Sequence, residues 1–202
     1  MGRMPRYVRN LLLGLVLATS VAVPVCLLPD PGYALAERLG GGRYWAYDAW
    51  IVQIARKRNV DPMLIKAIVW RETAFHPDKM GTSGERGLMQ VGVAAATDWA
   101  RAEKMETFLP EDLWDPKTNL EVGTWYFAKA LERWKTKADP VPFALADYNA
   151  GRGRVDRWIA ASGRGEDAQA EDLMRVIDFP TTRRYIEAIT ARYRFYKERG
   201  RM

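Results

Sequence analysis

The stretch Trp70–Gln90, which reads WRETAFHPDKMGTSGERGLMQ, decides how this chain folds and where its chemistry lies. It places Glu72 at the end of an amphipathic helix and continues into a glycine-rich loop. The helix has clear start signals, since Asp61 suits the N-cap and Pro62 suits the first helical position. Apolar residues then recur at helical spacing, namely Leu64, Ile65, Ile68 and Val69.

Glu72 continues this apolar stripe, because it lies three residues after Val69 and four after Ile68. Desolvation disfavours the charged form of a carboxyl there, and the negative end of the helix dipole has the same effect. Both raise the pKa and favour a carboxyl that holds a proton near neutral pH, as a general acid must. The alternative is a structural glutamate, either solvated or paired with Lys66 or Arg86.

Two more motifs follow along the chain, GERGLMQ at Gly84–Gln90 and ADYNAG at Ala146–Gly151. Together with ETAF at Glu72–Phe75, these ordered motifs resemble the lytic transglycosylases of the goose-lysozyme-like class, of the soluble lytic transglycosylase type. Those proteins are cell-wall enzymes with one catalytic glutamate. The resemblance covers roughly residues 50–197 and implies a lysozyme-like helical domain in which Glu72 is catalytic.

The resemblance also implies a set of substrate-binding residues. Gln90 would hydrogen-bond sugar groups in the glycan groove, and Met89 would offer the glycan a pliable apolar contact. Tyr148 would reach the catalytic carboxyl, with Asn149 beside it in the same motif. The residues alone leave a structural interpretation open, in which Gly87-Leu88-Met89-Gln90 starts a helix, Asn149 caps a helix and Tyr148 packs in the core.

The chain departs from the family pattern at several positions. Thr73 stands where serine is usual after the catalytic glutamate, and the serine expected before the first glycine of the loop falls at Gly81. In the segment Phe179–Tyr185, which reads FPTTRRY, Thr181 replaces the glutamate of a Pro-Glu-Thr-Arg motif. These departures bear on subfamily and subsite preference more than on the reaction.

The implied reaction is cleavage of the β-1,4 bond between N-acetylmuramic acid and N-acetylglucosamine in peptidoglycan. A single carboxyl suffices if it protonates the leaving oxygen and then accepts the proton of the sugar's own 6-hydroxyl, which gives a 1,6-anhydro product. One alternative is a goose-type hydrolase in which Glu85, Asp98 or Asp147 orients a water molecule. Another is a non-catalytic wall-binding or scaffold protein with the same fold.

The N-terminus has the layout of an export signal. Arg3, Arg6 and Arg9 precede the apolar run Leu11–Leu28, and small residues follow it. This predicts a signal segment over residues 1–34, with cleavage after Ala34 or Ala36, and a catalytic domain over residues 35–202. Because the apolar run has 18 residues, retention of residues 11–28 as a membrane anchor is the alternative. Either arrangement places the domain in the periplasm or cell envelope.

Composition narrows the remaining functional classes. The 202 residues carry a formal charge of +6, but basic and acidic residues are interspersed, which does not favour nucleic-acid binding. His76 is the only histidine and Cys26 the only cysteine, so neither a disulfide nor a metal site is expected. The reaction needs no cofactor. The expected partners are peptidoglycan glycan strands, and association with a cell-envelope assembly is left open.

The periodicity of the remaining chain predicts a mainly α single domain, because strand patterns are nearly absent. Gly123 lies on the buried stripe of the helix that begins at Asp115-Pro116, which indicates a close backbone approach. Residues 162–170 are predicted to form a surface loop. The other predicted helices cover residues 44–58, 88–104, 143–149 and 154–161, and a last one begins at Pro180.

Overall fold

The computed structural model of the protein describes Glu37 and residues 39–200. It divides into two compact units, with the boundary between Tyr44 and Trp45. In the first unit, Gly41–Tyr44 form a 3-10 turn. The predicted signal or anchor segment, residues 1–34, lies outside the described residues. Among the described residues, no helix combines the length and the apolar character needed to cross a bilayer.

Residues 45–200 are built from α-helices and short 3-10 turns, at Pro110–Trp114 and Gly165–Asp167. The helices are α1 Asp48–Lys57, α2 Pro62–Thr73, α3 Val93–Ala102, α4 Pro116–Arg133, α5 Val141–Ala150, α6 Arg152–Ala161, α7 Ala170–Val176 and α8 Pro180–Arg199. The described residues form no strand beyond isolated bridges that pair Arg86 with Met80 and with Val91. The predicted mainly α class is confirmed.

Helix α2, which carries Glu72, packs against α1 on one side and α8 on another. Its start is as predicted, since the Asp61 carboxylate accepts a hydrogen bond from the Met63 N–H at 2.9 Å and Pro62 follows at the first position. The helix ends after Thr73, where Ala74 adopts φ +49° and Phe75 adopts φ +65°. These left-handed residues stop the helix directly behind Glu72.

Helix α4 begins at Pro116, with Asp115 as an N-cap that accepts from the Thr118 N–H at 2.7 Å. The predicted close approach at Gly123 is confirmed, and the partner is Met89. A Cβ atom at Gly123 would lie 2.6 Å from the Met89 sulfur, so only glycine fits there. The end of α4 near residue 134 and the start of α8 at Pro180 are also as predicted.

The predicted helix over residues 88–104 is wrong in its first part, because α3 starts only at Val93. Gly87 and Gln90 have φ values of +71° and +48°, which a right-handed helix does not accommodate. The backbones of Arg86 and Val91 instead exchange two hydrogen bonds of 3.0 Å. The segment Gly87–Gln90 is therefore a tight turn, with its start and end side by side.

Smaller differences concern the other helices. Helix α1 starts at Asp48 rather than near residue 44, and its Trp50 is 38% exposed. Helices α5 and α6 start two residues earlier than predicted. Helix α7 follows the predicted 162–170 loop and was not predicted, since it has only seven residues and buries little more than Leu173.

Candidate active site

Glu72 lies half-buried at the end of α2, and its carboxyl accepts a hydrogen bond from another helix. The Tyr185 hydroxyl donates to its Oε1 at 2.6 Å from helix α8. Burial raises the pKa of Glu72 from 4.5 to about 7. The Tyr185 hydrogen bond and the charges of Arg71 and Lys79 lower this pKa, and the charge of Glu85 raises it. Glu72 is therefore a carboxyl that can hold or release a proton near neutral pH.

The structural alternative for Glu72 included an ion pair with Lys66 or Arg86, and the structure does not form that pair. Lys66 is buried and its Nζ lies 2.7 Å from the carboxylate of Asp48. Arg86 faces Glu111 at 3.4 Å. The two cations that sequence reasoning offered as partners thus belong to other carboxylates.

The backbone around Glu72 is held by its neighbour Thr73, a fully helical residue with 3% exposure. The Thr73 hydroxyl donates to the Leu88 carbonyl at 2.9 Å, which ties the end of α2 to the turn Gly87–Gln90. Lys79 donates its ammonium to the backbone carbonyl of Glu72 at 2.5 Å, satisfying one of the carbonyls that a helix end leaves free. The backbone of Glu72 is thus held by two hydrogen bonds, one made by Thr73 and one made by Lys79.

The turn itself is held by Asn119 of α4, which is fully buried. Its Oδ1 accepts from the Met89 N–H at 2.8 Å, and its Nδ2 donates to the carbonyls of Arg86 and Leu113 at 2.7 and 2.9 Å. The sequence analysis did not identify this residue. A signal was present, since Asn119 lies four residues before Gly123 and so shares its buried stripe.

Met89 was predicted to contact the glycan, and this prediction is wrong. Its side chain has 0% exposure, because it packs against Gly123 and accepts a long contact from the Thr124 hydroxyl. The apolar character of the side chain is used in the core. Met89 contributes to the site through its backbone carbonyl, which accepts a hydrogen bond from the Tyr148 hydroxyl at 2.9 Å.

That hydrogen bond also corrects the expected role of Tyr148. Its hydroxyl was expected to reach the catalytic carboxyl, but Tyr185 makes that contact and Tyr148 holds the turn instead. Burial and then the nearby charge of Glu72 raise the pKa of Tyr148 well above 10.0, so its hydroxyl keeps its proton. The ring contacts Tyr126 and Phe127 edge-on, at centroid distances of 5.8 and 5.9 Å.

In the sequence, Tyr185 was noted only as the aromatic residue that ends the segment FPTTRRY, and the structure shows that it is 3% exposed. Sequence reasoning missed its contact because the partner lies 113 residues away. The one available signal was a hydroxyl on an otherwise apolar stripe, since a buried tyrosine usually finds a hydrogen-bond partner.

Gln90 and Asn149 lie at the rim of the site. Gln90 donates its Nε2 to the Lys79 carbonyl at 2.9 Å and to the Gly87 carbonyl at 3.0 Å. Asn149 is exposed and accepts a hydrogen bond at Oδ1 from the Thr182 hydroxyl, at 2.8 Å. It does not cap α5, whose C-cap is Gly151 with φ +85°. Both side chains keep polar atoms free for a ligand.

The three candidates for a second carboxylate have different surroundings. Asp147 is buried between Arg133, with which it forms an ion pair, and the Trp134 indole N–H at 2.9 Å. Asp98 is exposed on α3 and pairs with Arg101 at 3.3 Å. Asp147 and Asp98 are therefore engaged in structural contacts, contrary to their suggested role.

Glu85 is the remaining candidate, and its charge acts on Glu72. Its Oε2 accepts from the Ser83 N–H at 3.0 Å and lies in the space that a side chain at Gly81 would fill. Among the described residues, no group of three His, Cys, Asp or Glu side chains is placed to hold a metal ion.

Comparison with known proteins identifies the family of the chain. The sequence profile of the transglycosylase SLT domain matches residues 49–170. The chain belongs to this family. The matched range includes Glu72, Gln90 and Asn149, whereas Thr182 and Tyr185 lie beyond its end.

Similar proteins include the soluble lytic murein transglycosylase of Salmonella typhimurium, 29% identical over 153 residues. That match covers 75% of this chain but 23% of the relative, so the chain spans about a quarter of its length. The X polypeptide of Escherichia coli is 28% identical over 150 residues, which cover 67% of this chain and 82% of that protein.

Solved structures confirm the lysozyme-like helical fold predicted from the resemblance. The crystal structure of the 70 kDa soluble lytic transglycosylase of Escherichia coli superposes with a TM-score of 0.68 at 27% identity, over 75% of this chain and 24% of that one. A complex of the 70 kDa soluble lytic transglycosylase with bulgecin A gives a TM-score of 0.69, also at 27% identity, over 76% of this chain and 24% of that one.

The raised pKa of Glu72 predicts a pH-dependent cost in stability. Below pH 4.5 the carboxyl is protonated in folded and unfolded chains alike, so its contribution to stability is fully present. As the pH rises, unfolded chains ionise first and stability is lost, until the folded carboxyl ionises at about pH 7. Glu72→Gln removes this cost, so the variant should unfold less readily than wild type at pH 8, by on the order of 2–3 kcal/mol.

Urea unfolding at pH 4 and pH 8 measures this difference. The gap between Glu72→Gln and wild type should close at pH 4. The control is Glu187→Gln, which makes the same change at an exposed position of α8. A gap at pH 8 no larger than that of the control would contradict the raised pKa.

The Tyr185 hydroxyl stabilises the ionised form of Glu72, so removal of this hydroxyl should raise the pKa of Glu72. Tyr185→Phe should raise the pKa of Glu72 above 7, as measured by titration of the carboxyl carbon resonance in NMR. Tyr193→Phe is the matched control on the same helix, because that hydroxyl donates to Asp61 at 2.9 Å. An unchanged pKa in Tyr185→Phe would show that the hydrogen bond is not formed in solution.

Proposed function

We propose that the chain is a peptidoglycan lytic transglycosylase. It cleaves the β-1,4 bond between N-acetylmuramic acid and N-acetylglucosamine and leaves 1,6-anhydro-N-acetylmuramic acid ends. The observation that carries the proposal is Glu72, a carboxyl with a pKa of about 7 on a fixed backbone, opening to solvent beside Tyr185. Membership of the transglycosylase SLT domain family supports the same reaction.

In the first step Glu72 acts as a general acid. It donates its proton to the oxygen that links the two sugars, as the bond from that oxygen to C1 of N-acetylmuramic acid breaks. The leaving sugar departs with a 4-hydroxyl, and positive charge develops at C1 and the ring oxygen. Glu72 is then a carboxylate, and the Tyr185 hydroxyl and the Lys79 charge stabilise that form.

In the second step Glu72 acts as a general base. The 6-hydroxyl of the same sugar attacks C1 and gives its proton to the Glu72 carboxylate, which restores the enzyme. An internal hydroxyl arrives with the substrate, and its high effective concentration is worth up to about 7–11 kcal/mol in favourable cases. A carboxyl with a pKa near 7 suits both steps, because its two protonation states have similar free energies at neutral pH.

The competing enzyme is a goose-type hydrolase with Glu85 as the second carboxylate. Retaining and inverting glycosidases place their two carboxyls on the two sides of the scissile bond. Glu85 instead lies against Gly81 and binds the Ser83 N–H within its own loop. This position favours an electrostatic influence on Glu72 over the activation of water. A non-catalytic wall-binding protein has no use for the raised pKa of Glu72, which costs stability.

The products of digested peptidoglycan decide between the two enzymes. The proposed reaction predicts muropeptides that are lighter by one water than hydrolysis products and that resist borohydride reduction, both visible by mass spectrometry. Glu72→Gln should reduce turnover by more than ~100-fold, because it keeps the shape of the side chain and removes the transferable proton. Fully reducible muropeptides would favour the hydrolase, and a Glu72→Gln variant with nearly normal turnover would refute the assignment of Glu72.

We also propose that residues 1–34 export the domain to the periplasm or cell envelope, as their arginines and apolar run indicate. The relatives include a soluble lytic murein transglycosylase and a membrane-bound lytic murein transglycosylase F from Desulfosudis oleivorans. A released domain and a membrane-anchored domain therefore both have a counterpart among the relatives. N-terminal sequencing of the exported protein should begin at residue 35 or 37. An intact N-terminus in membranes washed at alkaline pH would instead indicate an anchor at residues 11–28.

A further inference from the structure

The two amide side chains at the rim of the candidate site present opposite polarity to a ligand. Gln90 uses both protons of its Nε2 on backbone carbonyls, those of Lys79 and Gly87. These two acceptors determine which way the amide is turned, because a reversed amide would place its oxygen against two carbonyl oxygens. Gln90 therefore offers its Oε1 to a ligand and can only accept a hydrogen bond.

Asn149 is turned the other way by Thr182. The Thr182 side chain is 3% exposed, and its hydroxyl donates to Asn149 Oδ1 at 2.8 Å across 33 residues of sequence. Thr182 is the third residue of α8, so no carbonyl of a preceding helical turn competes for its proton. With Oδ1 engaged, the exposed Asn149 offers its two Nδ2 protons to a ligand and can only donate.

This contact lies close to the catalytic carboxyl. Thr182 and Tyr185 are three residues apart on α8 and therefore neighbours on one face of the helix. Tyr185 binds Glu72, so the amide of Asn149 lies about one helical turn from the Glu72 hydrogen bond. A sugar bound at Glu72 can reach it.

We propose that Thr182 is a positioning residue that holds the Asn149 amide with its N–H groups toward the substrate. Through the Asn149 amide, this edge of the site recognises the acetamido carbonyl oxygen of an N-acetylated sugar. The inference rests on the proposed function insofar as the ligand is a glycan of the cell wall. The polarity matters because a sugar hydroxyl can donate or accept, and a fixed donor does not discriminate against it. An acetamido carbonyl only accepts, and loss of the acetyl group leaves an ammonium that only donates.

Calorimetry with the Glu72→Gln protein tests the proposal without turnover. The ligands are a hexamer of N-acetylglucosamine and the corresponding hexamer of glucosamine. The acetylated hexamer should bind more tightly. Adding Thr182→Val, which replaces the hydroxyl by a methyl group of similar size, should weaken its binding by ~3–10-fold and reduce the preference between the two hexamers. The charges of Arg71 and Lys79 act on the glucosamine ammonium in both proteins, so the change in preference isolates Thr182.

Two further variants control this comparison. Thr182→Ser retains the hydroxyl and should restore both the affinity and the preference. Thr181→Val makes the same substitution one residue earlier, at an exposed position, and should change neither. A Thr182→Val protein with an unchanged preference would overturn the proposal, and so would failure of both hexamers to bind to the folded Glu72→Gln protein.

The Asn149 side-chain amide gives a readout that needs no ligand. Its NH₂ resonances should show restricted motion in wild type and Thr182→Ser, and greater motion in Thr182→Val. Equal order in all three would overturn the positioning role. If the wild-type protein releases no muropeptides from peptidoglycan while the hexamer preference depends on Thr182, the proposed function fails and this inference stands.

Discussion

The hydrogen bond from the Tyr185 hydroxyl to Glu72 is the contact on which the site depends. It joins the last turn of helix α2 to helix α8, across 113 residues of sequence, with a distance of 2.6 Å between the two oxygen atoms. To keep this hydrogen bond, both helices must be held in place. Helix α2 is fixed where it stops, by two left-handed residues and by the bond from Thr73 to the Leu88 carbonyl. Helix α8, which carries Tyr185, is held by its packing along α2.

The protonation balance of Glu72 follows from burial, which is the largest effect on its pKa, and from smaller effects that oppose it. Burial favours the neutral carboxyl, while one hydroxyl and two nearby cations favour the carboxylate. A fully enclosed carboxyl would hold its proton permanently, and a solvated one would have lost it at neutral pH. A Glu72 pKa between these extremes requires a partly open site and a hydrogen-bond donor. The donor is Tyr185, whose hydroxyl keeps its own proton because burial raises its pKa well above 10.0. One carboxyl can then both give and receive a proton.

Local signals made much of the fold predictable, and long-range contacts account for what was missed. The starts of α2 and α4 follow from the Asp-Pro pairs at residues 61–62 and 115–116, and Glu72 follows from the apolar stripe. Asn119 and Tyr185 act on partners 30 and 113 residues away, which periodicity does not reveal. The turn Gly87–Gln90 was predicted as helix because glutamine gives no sequence signal for the positive φ of +48° that Gln90 adopts. The expected glycan contact of Met89 came from the family resemblance, whereas the turn directs its side chain into the core.

The departures from the family pattern become understandable once the contacts are known. Thr73 replaces a serine but keeps a hydroxyl, and that hydroxyl is the group that holds the Leu88 carbonyl. At Gly81 the expected hydroxyl is absent, and the Glu85 carboxylate fills the vacant space beside the Gln90 side chain. Most of these site contacts end on backbone carbonyls, which every residue supplies. A site built in this way tolerates substitution as long as each hydrogen-bond donor keeps its proton and its position. The contacts of a side chain, and not its identity alone, therefore determine whether it offers a donor or an acceptor to the substrate.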